Sequence, residues 1–220
     1  MNNCKQNLVE TEFGFIPSGW QIGKLEDIMD FSNGYAFSSS SLLDEDQSDC
    51  FKVFKMGHII KGGGFNYNGT KSWIEKNKCI SLSKFVLKKG DLLMAMTDMK
   101  GNISLLGNTA LMDSDDEYIV NQRVGLLRAN KKFGTDYPYL YLLTNEFNFL
   151  EYLRGRSNSG VQVNLTSQAI KESVIVIAPE EINIAFDKIS KPIFNKIFNN
   201  QNLIRKLTEL KQLYLKKFFG

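Results

Sequence analysis

From Pro179 to Gly220 the chain reads PEEINIAFDKISKPIFNKIFNNQNLIRKLTELKQLYLKKFFG. Apolar residues recur there at alternating spacings of four and three: Ile182, Phe186, Ile189 and Ile193, then Leu203, Leu207, Leu210 and Tyr214. Lys196 and Asn200 occupy seam positions between the two groups, Lys217 follows at the end, and no glycine intervenes before Gly220. This is a heptad seam with polar interruptions, the pattern of a long amphipathic helix. Pro192 lacks an N–H and disfavours helical geometry at Lys191, so the reading predicts a short helix over about 180–190 and a second from 192 to about 218, roughly 40 Å long. A helix of that length with so regular a seam calls for a partner. Ile193, Asn200, Leu203, Leu207, Leu210 and Tyr214 form the candidate pairing surface, with Asn200 costing stability but fixing register. The alternative is an amphipathic helix lying on its own domain.

Upstream of Pro179 the chain changes character to short strands and turns. Phe51–Phe54, Lys84–Leu87, Leu92–Met96, Tyr118–Val120, Gly125–Leu127 and a run ending at Ala178 read as strands, punctuated by Gly62-Gly63-Gly64 and Lys88-Lys89-Gly90-Asp91. One helix interrupts them: Tyr137-Pro138 opens it, Leu140, Leu143, Phe147 and Leu150 follow at helical spacing, and Gly155 closes it. The expected fold class is α+β: a strand-rich globular domain over residues 1–178, then a helical spacer and dimerisation region over 179–220.

With 220 residues, 43% of them hydrophobic, there is room for one large domain plus an extended appendage, and two full-sized domains would be a tight fit. Lys and Arg number 27 against 24 Asp and Glu, a net charge of +3, so no overall basic field advertises non-specific nucleic-acid binding, and any DNA contact must come from local clusters. Cys4, Cys50 and Cys79 are isolated from one another and no charged-then-apolar leader opens the chain, which reads as reduced thiols in a cytoplasmic protein. The longest apolar runs are strand-length and fall far short of the ~20 residues that span a bilayer.

Catalytic signals are thin. Asp91 followed by Asp98-Met99-Lys100 has the shape of a metal-dependent nuclease motif, two carboxylates for a divalent ion and a lysine for developing charge. Short acidic-x-Lys matches are common by chance, and a turn residue beside a solvated loop is the simpler reading. His58 is the one histidine and reads as a packing or hydrogen-bonding group at a strand end; no metal site or cofactor is expected. The glycine triplet lacks the Gly-Lys-Ser/Thr ending of a phosphate loop. All four prolines are singletons, so the Asn/Asp-Pro-Pro-aromatic tetrad of DNA methyltransferases is absent. Long donors and amides suited to base edges concentrate in Arg154-Gly155-Arg156-Ser157-Asn158 through Gln162 to Asn164. Lys71 beside Trp73, Lys100 with Asn102, and Asn121-Gln122-Arg123 are further candidates. Taken singly, each is more often a solvated loop.

Read in order, these segments resemble the repeating unit of type I restriction-modification specificity subunits. The resemblance runs through Gly14-Phe15-Ile16-Pro17-Ser18-Gly19-Trp20, Asn33-Gly34-Tyr35-Ala36-Phe37, Leu87-Lys88-Lys89-Gly90-Asp91-Leu92-Leu93, Asn121-Gln122-Arg123-Val124, Gln162-Val163-Asn164-Leu165-Thr166, and Phe186 to Phe194 with its proline. It implies a recognition domain that contacts one half of a split double-stranded DNA target, with helices that act as spacer and as docking surface for methylation subunits. A restriction subunit is a further candidate partner, and the chain itself is expected to be non-catalytic. Under this resemblance the Lys-Gly-Asp turn is structural. Relatives carry two such units per chain and this sequence carries one, so two copies are expected to pair through the seam around Asn200; the alternatives are an excised half of a longer chain and a partner for a different half. The competing classes are a small metal-dependent nuclease using Asp91, Asp98 and Lys100, and a purely structural dimerisation protein.

Overall fold

A computed structural model describes residues 7–12, 14–99, 103–158 and 162–219. Its centre is a four-stranded sheet, in which β4 (Met29–Asn33), β11 (Val124–Ala129), β7 (Leu92–Ala95) and β9 (Thr109–Leu111) lie side by side in that order, all antiparallel. Side chains alternate across a strand, and here both faces are covered. Leu92 and Met94 of β7 enter one apolar core with Leu127, whereas Leu93 and Ala95 enter a second core with Val124 and Leu126. That double burial is why Leu92–Met96 reads as an unbroken apolar run rather than an alternating one.

The second core is closed by a three-stranded sheet of β10 (Tyr118–Val120), β5 (Cys50–Phe54) and β6 (Trp73–Glu75), with β5 central, parallel to β10 and antiparallel to β6. Of residues 84–87, expected as a strand, Lys84 and Phe85 instead finish a 3-10 segment running from Lys76 to Phe85. The stretch reaches the sheet by a single bridge between Val86 and Ile119.

The first core is covered by helices. The segment expected to form one helix forms two, α1 (Tyr137–Thr144) and α2 (Phe147–Gly155). The break falls at Asn145, whose side-chain amide donates to Thr109 Oγ1 at 2.6 Å and to the Tyr141 carbonyl at 3.0 Å while its oxygen accepts from the Thr109 N–H at 3.0 Å. Glu146 then caps α2 by accepting from the Phe149 N–H. A short helix, α3 (Ser167–Lys171), capped by Thr166, separates β12 (Gln162–Asn164) from β13 (Val174–Ile177). The last of these pairs with β3 (Gln21–Lys24), and β1 (Leu8–Thr11) with β2 (Gly14–Pro17) forms an outlying hairpin.

The final element, α4 (Glu180–Phe219), is one continuous helix of 40 residues and roughly 60 Å, not the two expected on either side of Pro192. Packing on both sides of the proline overrides its penalty. On the near side Asn183 donates to the carbonyls of Phe133 and Ala178, both at 2.9 Å, and Lys191 bridges Asp136 and Asp187 at 2.7 and 2.6 Å. On the far side Phe194 meets Tyr137 and Tyr141 edge-on, and Phe198 meets Tyr137. The packed stripe is therefore Asn183, Ser190, Phe194 and Phe198, with Arg205 the last anchor, over the Tyr67 ring and 3.5 Å from Glu117.

The seam residues Ile193, Asn200, Leu203, Leu207, Leu210 and Tyr214 lie on a different face and are all exposed. One helix thus carries two stripes, one on its own domain and one open. Of the described residues, no helix is long and apolar enough to cross a membrane. Because Pro192 is exposed and lacks only the bond to Lys188, Pro192→Ala is expected to stabilise the fold. The gain should be about 2 kcal/mol, below the ~3 kcal/mol interior penalty since proline also restrains the unfolded chain. Urea unfolding measures it.

Candidate nucleic-acid interface

The turn between β10 and β11 carries Gln122 and Arg123, both exposed, with Arg123 in the left-handed region at φ +68°. Its backbone is pinned from three sides. The Asn121 N–H donates to the Phe54 carbonyl at 3.0 Å, the Gln122 N–H to Tyr35 at 2.8 Å, and the Arg123 carbonyl accepts from Met96 at 3.1 Å. Gly34 is required beside it, because a Cβ there would lie 2.0 Å from the Asn121 oxygen. A bulky residue held in a sparsely populated conformation by surrounding bonds is a feature that clusters at functional sites. Tyr35, wedged against Phe37 and Phe85 yet still exposed, stands next to this turn.

The Met96 carbonyl accepts from Leu165, which leads into a two-stranded ribbon of β12 and β8 (Thr97–Met99), registered Gln162 with Met99 and Asn164 with Thr97. The outer end of the ribbon presents Gln162 and Met99, the latter 62% exposed, and Asn158 joins it through an N–H bond to the Asn164 carbonyl. Lys100 and Asn102 follow β8 in sequence and lie outside the described residues. At the ribbon's base Ser167 bonds the Asn33 side chain at 3.1 Å, closing the ring of loops back toward Tyr35. The structure therefore brings Arg123, Asn158 and Gln162 to one end of the domain.

The two arginines of the same loop divide. Arg156 is exposed and lies over the Tyr152 ring, 5.6 Å from its centroid. Arg154 is largely covered, its guanidinium donating to the Leu106 and Ser104 carbonyls at 3.1 and 3.3 Å and pairing with Glu151 at 2.8 Å. Asp98 works on the same stretch from the other side, accepting from the Leu105 and Leu106 N–H groups at 2.7 and 3.2 Å and from Met99 at 2.9 Å. A carboxylate gathers the amides and a guanidinium gathers the carbonyls of one loop, so both side chains brace it.

The nuclease reading fails on this geometry. Asp91 is buried with its carboxylate bound by Arg128 through two bonds of 2.9 Å and by the Lys88 N–H at 2.8 Å. It closes the Lys-Gly-Asp turn and ties the start of β7 to β11. No group of His, Cys, Asp or Glu among the described residues could hold a metal ion. His58 is a packing residue: burial pushes its pKa below the ordinary imidazole value, its Nδ1 lies 3.1 Å from the Lys55 amide, and its ring rests on Phe54. Cys50 and Cys79 are free thiols, and Cys4 lies outside the described residues.

Lys71 stands apart from the ribbon. It lines a cleft of about 370 Å³ between the domain and α4, with Lys52, His58, Tyr67 and Arg205. Gln122 was a candidate within Asn121-Gln122-Arg123, whereas Tyr35 was not among the candidate contacts. The Asn33-Gly34-Tyr35 triplet was the available signal, a tight-turn dipeptide followed by an aromatic residue in a polar loop.

A polar loop end braced from below stands on a doubly cored strand domain, with a long half-open helix behind it. The chain belongs to the type I restriction modification DNA specificity domain family, whose match covers residues 17–213. It is 24% identical over 230 aligned positions to a Methanocaldococcus jannaschii protein described as the type I restriction enzyme MjaX specificity subunit, covering 98% of this chain and 49% of that protein. It is 27% identical over 143 positions to the type I restriction enzyme MjaVIII specificity subunit of the same organism, covering 63% of this chain and 31% of that one. The crystal structure of the type I restriction-modification system S subunit from M. genitalium shares the fold, with a TM-score of 0.57 at 16% identity over 91% of this chain and 46% of that one. The chain covers about half of each of these three proteins or less.

The two arginine positions should separate in a stability assay. Arg123→Gly relieves the left-handed strain and is expected to stabilise the fold by ~0.5–1 kcal/mol. Arg154→Ala frees two carbonyls and is expected to cost about 1–2 kcal/mol and to speed amide exchange over residues 103–107. Thermal unfolding with hydrogen-exchange mass spectrometry reads both.

Proposed function

We propose that this chain is the non-catalytic reading half of a type I modification assembly, contacting one half of a split double-stranded DNA target. The observation that carries the reading is the braced loop end in a member of this family. Arg123, held in a strained turn, stands beside Gln122, Asn158 and Gln162, a set with the long donors that suit guanine and the amides that suit adenine. Arg156 is the residue for an adjacent phosphate, and Lys100 and Asn102 belong to the loop that follows β8. Arg154, given its internal bonds, acts by holding that loop in place. Lys71, beside α4, supplies a sequence-independent phosphate contact.

In this reading residues 1–178 form the recognition domain and 179–220 the spacer. The assembly works in the cytoplasm with methylation subunits, with or without a restriction subunit, and two copies pair through the exposed seam of α4. Five of the six seam residues are apolar and open to solvent along one stripe, a surface of the kind that marks a protein interface. By two-fold symmetry the paired copies read an inverted-repeat target.

Two measurements follow. With methylation subunits present, Arg123→Ala and Gln162→Ala are each expected to weaken binding of the methylated target by ~1–3 kcal/mol with relaxed choice of base, while Lys71→Ala lowers affinity evenly across sequences and reduces the salt slope by about one. Leu207→Lys is expected to convert the chain from dimer to monomer in sedimentation analysis without unfolding it, because Leu207 touches nothing in its own domain's core.

A further inference from the structure

The exposed stripe of α4 repeats itself in part as a mirror image about Asn200, with Ile189 and Leu210, which fall opposite Lys211 and Ser190, as the exceptions. Ile197 and Leu203 lie three positions to either side, Ile193 and Leu207 seven, Phe186 and Tyr214 fourteen, and Ile182 and Phe218 eighteen. A stripe with that symmetry is self-complementary when two helices run antiparallel around a two-fold axis at Asn200. In that register Phe218 of one copy falls opposite Ile182 of the other, and Phe219 lies beyond it.

At the same end of α4, next to Phe186, lies an apolar pocket of about 410 Å³, lined by Trp20, Ile22, Tyr139, Leu143, Phe149 and Val174. It continues the open stripe, since Phe186 meets the Tyr139 ring edge-on at 6.3 Å and Tyr139 is fixed by its hydroxyl donating to the Val176 carbonyl at 3.0 Å. Within its own copy the helix end packs its aromatic residues only on itself, Phe218 stacking on Tyr214 at 6.0 Å with Lys217 over its ring. Every described residue from 206 to 219 is exposed, Phe218 by 65% and Phe219 by 87%.

We infer that the pocket on the β3–β13 face is the receptor for Phe218 and Phe219 of a second copy. Each copy clasps the other at the base of its helix, so the recognition domains are fixed at both ends of the paired helices rather than at the central seam alone. Each buried aromatic side chain removes ~150–250 Å² from water, and the contact occurs twice by symmetry. The inference rests on the pairing proposed above and adds its register and its second contact point.

The test uses the full chain with the photoreactive residue p-benzoylphenylalanine in place of Phe219, irradiated and mapped by mass spectrometry, alongside the dissociation constant of Phe218→Ala/Phe219→Ala by sedimentation. The expected result is a covalent species of twice the chain mass, with cross-links to peptides holding Trp20 and Ile22 or Val174 to Val176. The double variant should still fold and should dimerise about 10- to 100-fold more weakly. A dimer whose cross-links fall elsewhere and whose constant is unchanged in the double variant overturns the clasp and leaves the pairing intact. Cross-links to the pocket within a single chain mass overturn it in favour of the chain's own pocket. An unmodified chain that sediments as a monomer overturns both the pairing and the clasp.

Discussion

Burial of β7 on both faces is the constraint on which the molecule depends. Leu92 and Met94 point into the helical core and Leu93 and Ala95 into the sheet core, so β7 cannot slip by one residue without disturbing both. The Asp91 carboxylate holds the strand's first residue in place. It accepts two bonds from Arg128 of β11, and Arg128 also donates to the Val86 carbonyl at 2.9 Å, so one fork ties the turn, the central sheet and the segment leading to it. A carboxylate so engaged has a structural task, which is why its resemblance to a metal ligand is misleading.

That frame sets the interface. The far end of β7 continues through Met96, whose amide and carbonyl take the Arg123 carbonyl and the Leu165 amide. The strained turn and the β8–β12 ribbon are thus fastened to the amide and carbonyl of one residue, at the end of a strand buried on both faces. At the opposite side, α4 is anchored through Asn183, Phe194 and Phe198 and leaves the domain after Arg205. The proposed reading surface and spacer helix are therefore positioned by the same two cores.

Much of this was legible in the sequence where one residue type carries one meaning. The heptad seam announced a long C-terminal helix, and the apolar run at Leu92 announced a strand, though not its burial on both faces. What escaped depended on distant partners. Pro192 reads as a helix break unless one knows that Lys191 and Phe194 are both held by α1 and its cap. The packed stripe hid because two of its members, Asn183 and Ser190, are polar. Its apolar members Phe194 and Phe198 sit next to Ile193 and Ile197, so periodicity alone could not tell which face turns inward. Arg154 looked like a base reader because its carbonyl partners lie about fifty residues away. Arg123 was a candidate by residue type alone; its left-handed turn against Gly34 and Tyr35 was not foreseen, since nothing local to residue 123 reports the loop that pins it.

The most direct test of the central claim is single-molecule methylation mapping of the native genome with and without the gene. The account predicts that one split, inverted-repeat methylated motif disappears when the gene is removed and returns with the wild-type chain. If no methylated motif is lost from cells shown to express the protein, the chain does not specify a DNA target there and the account is contradicted.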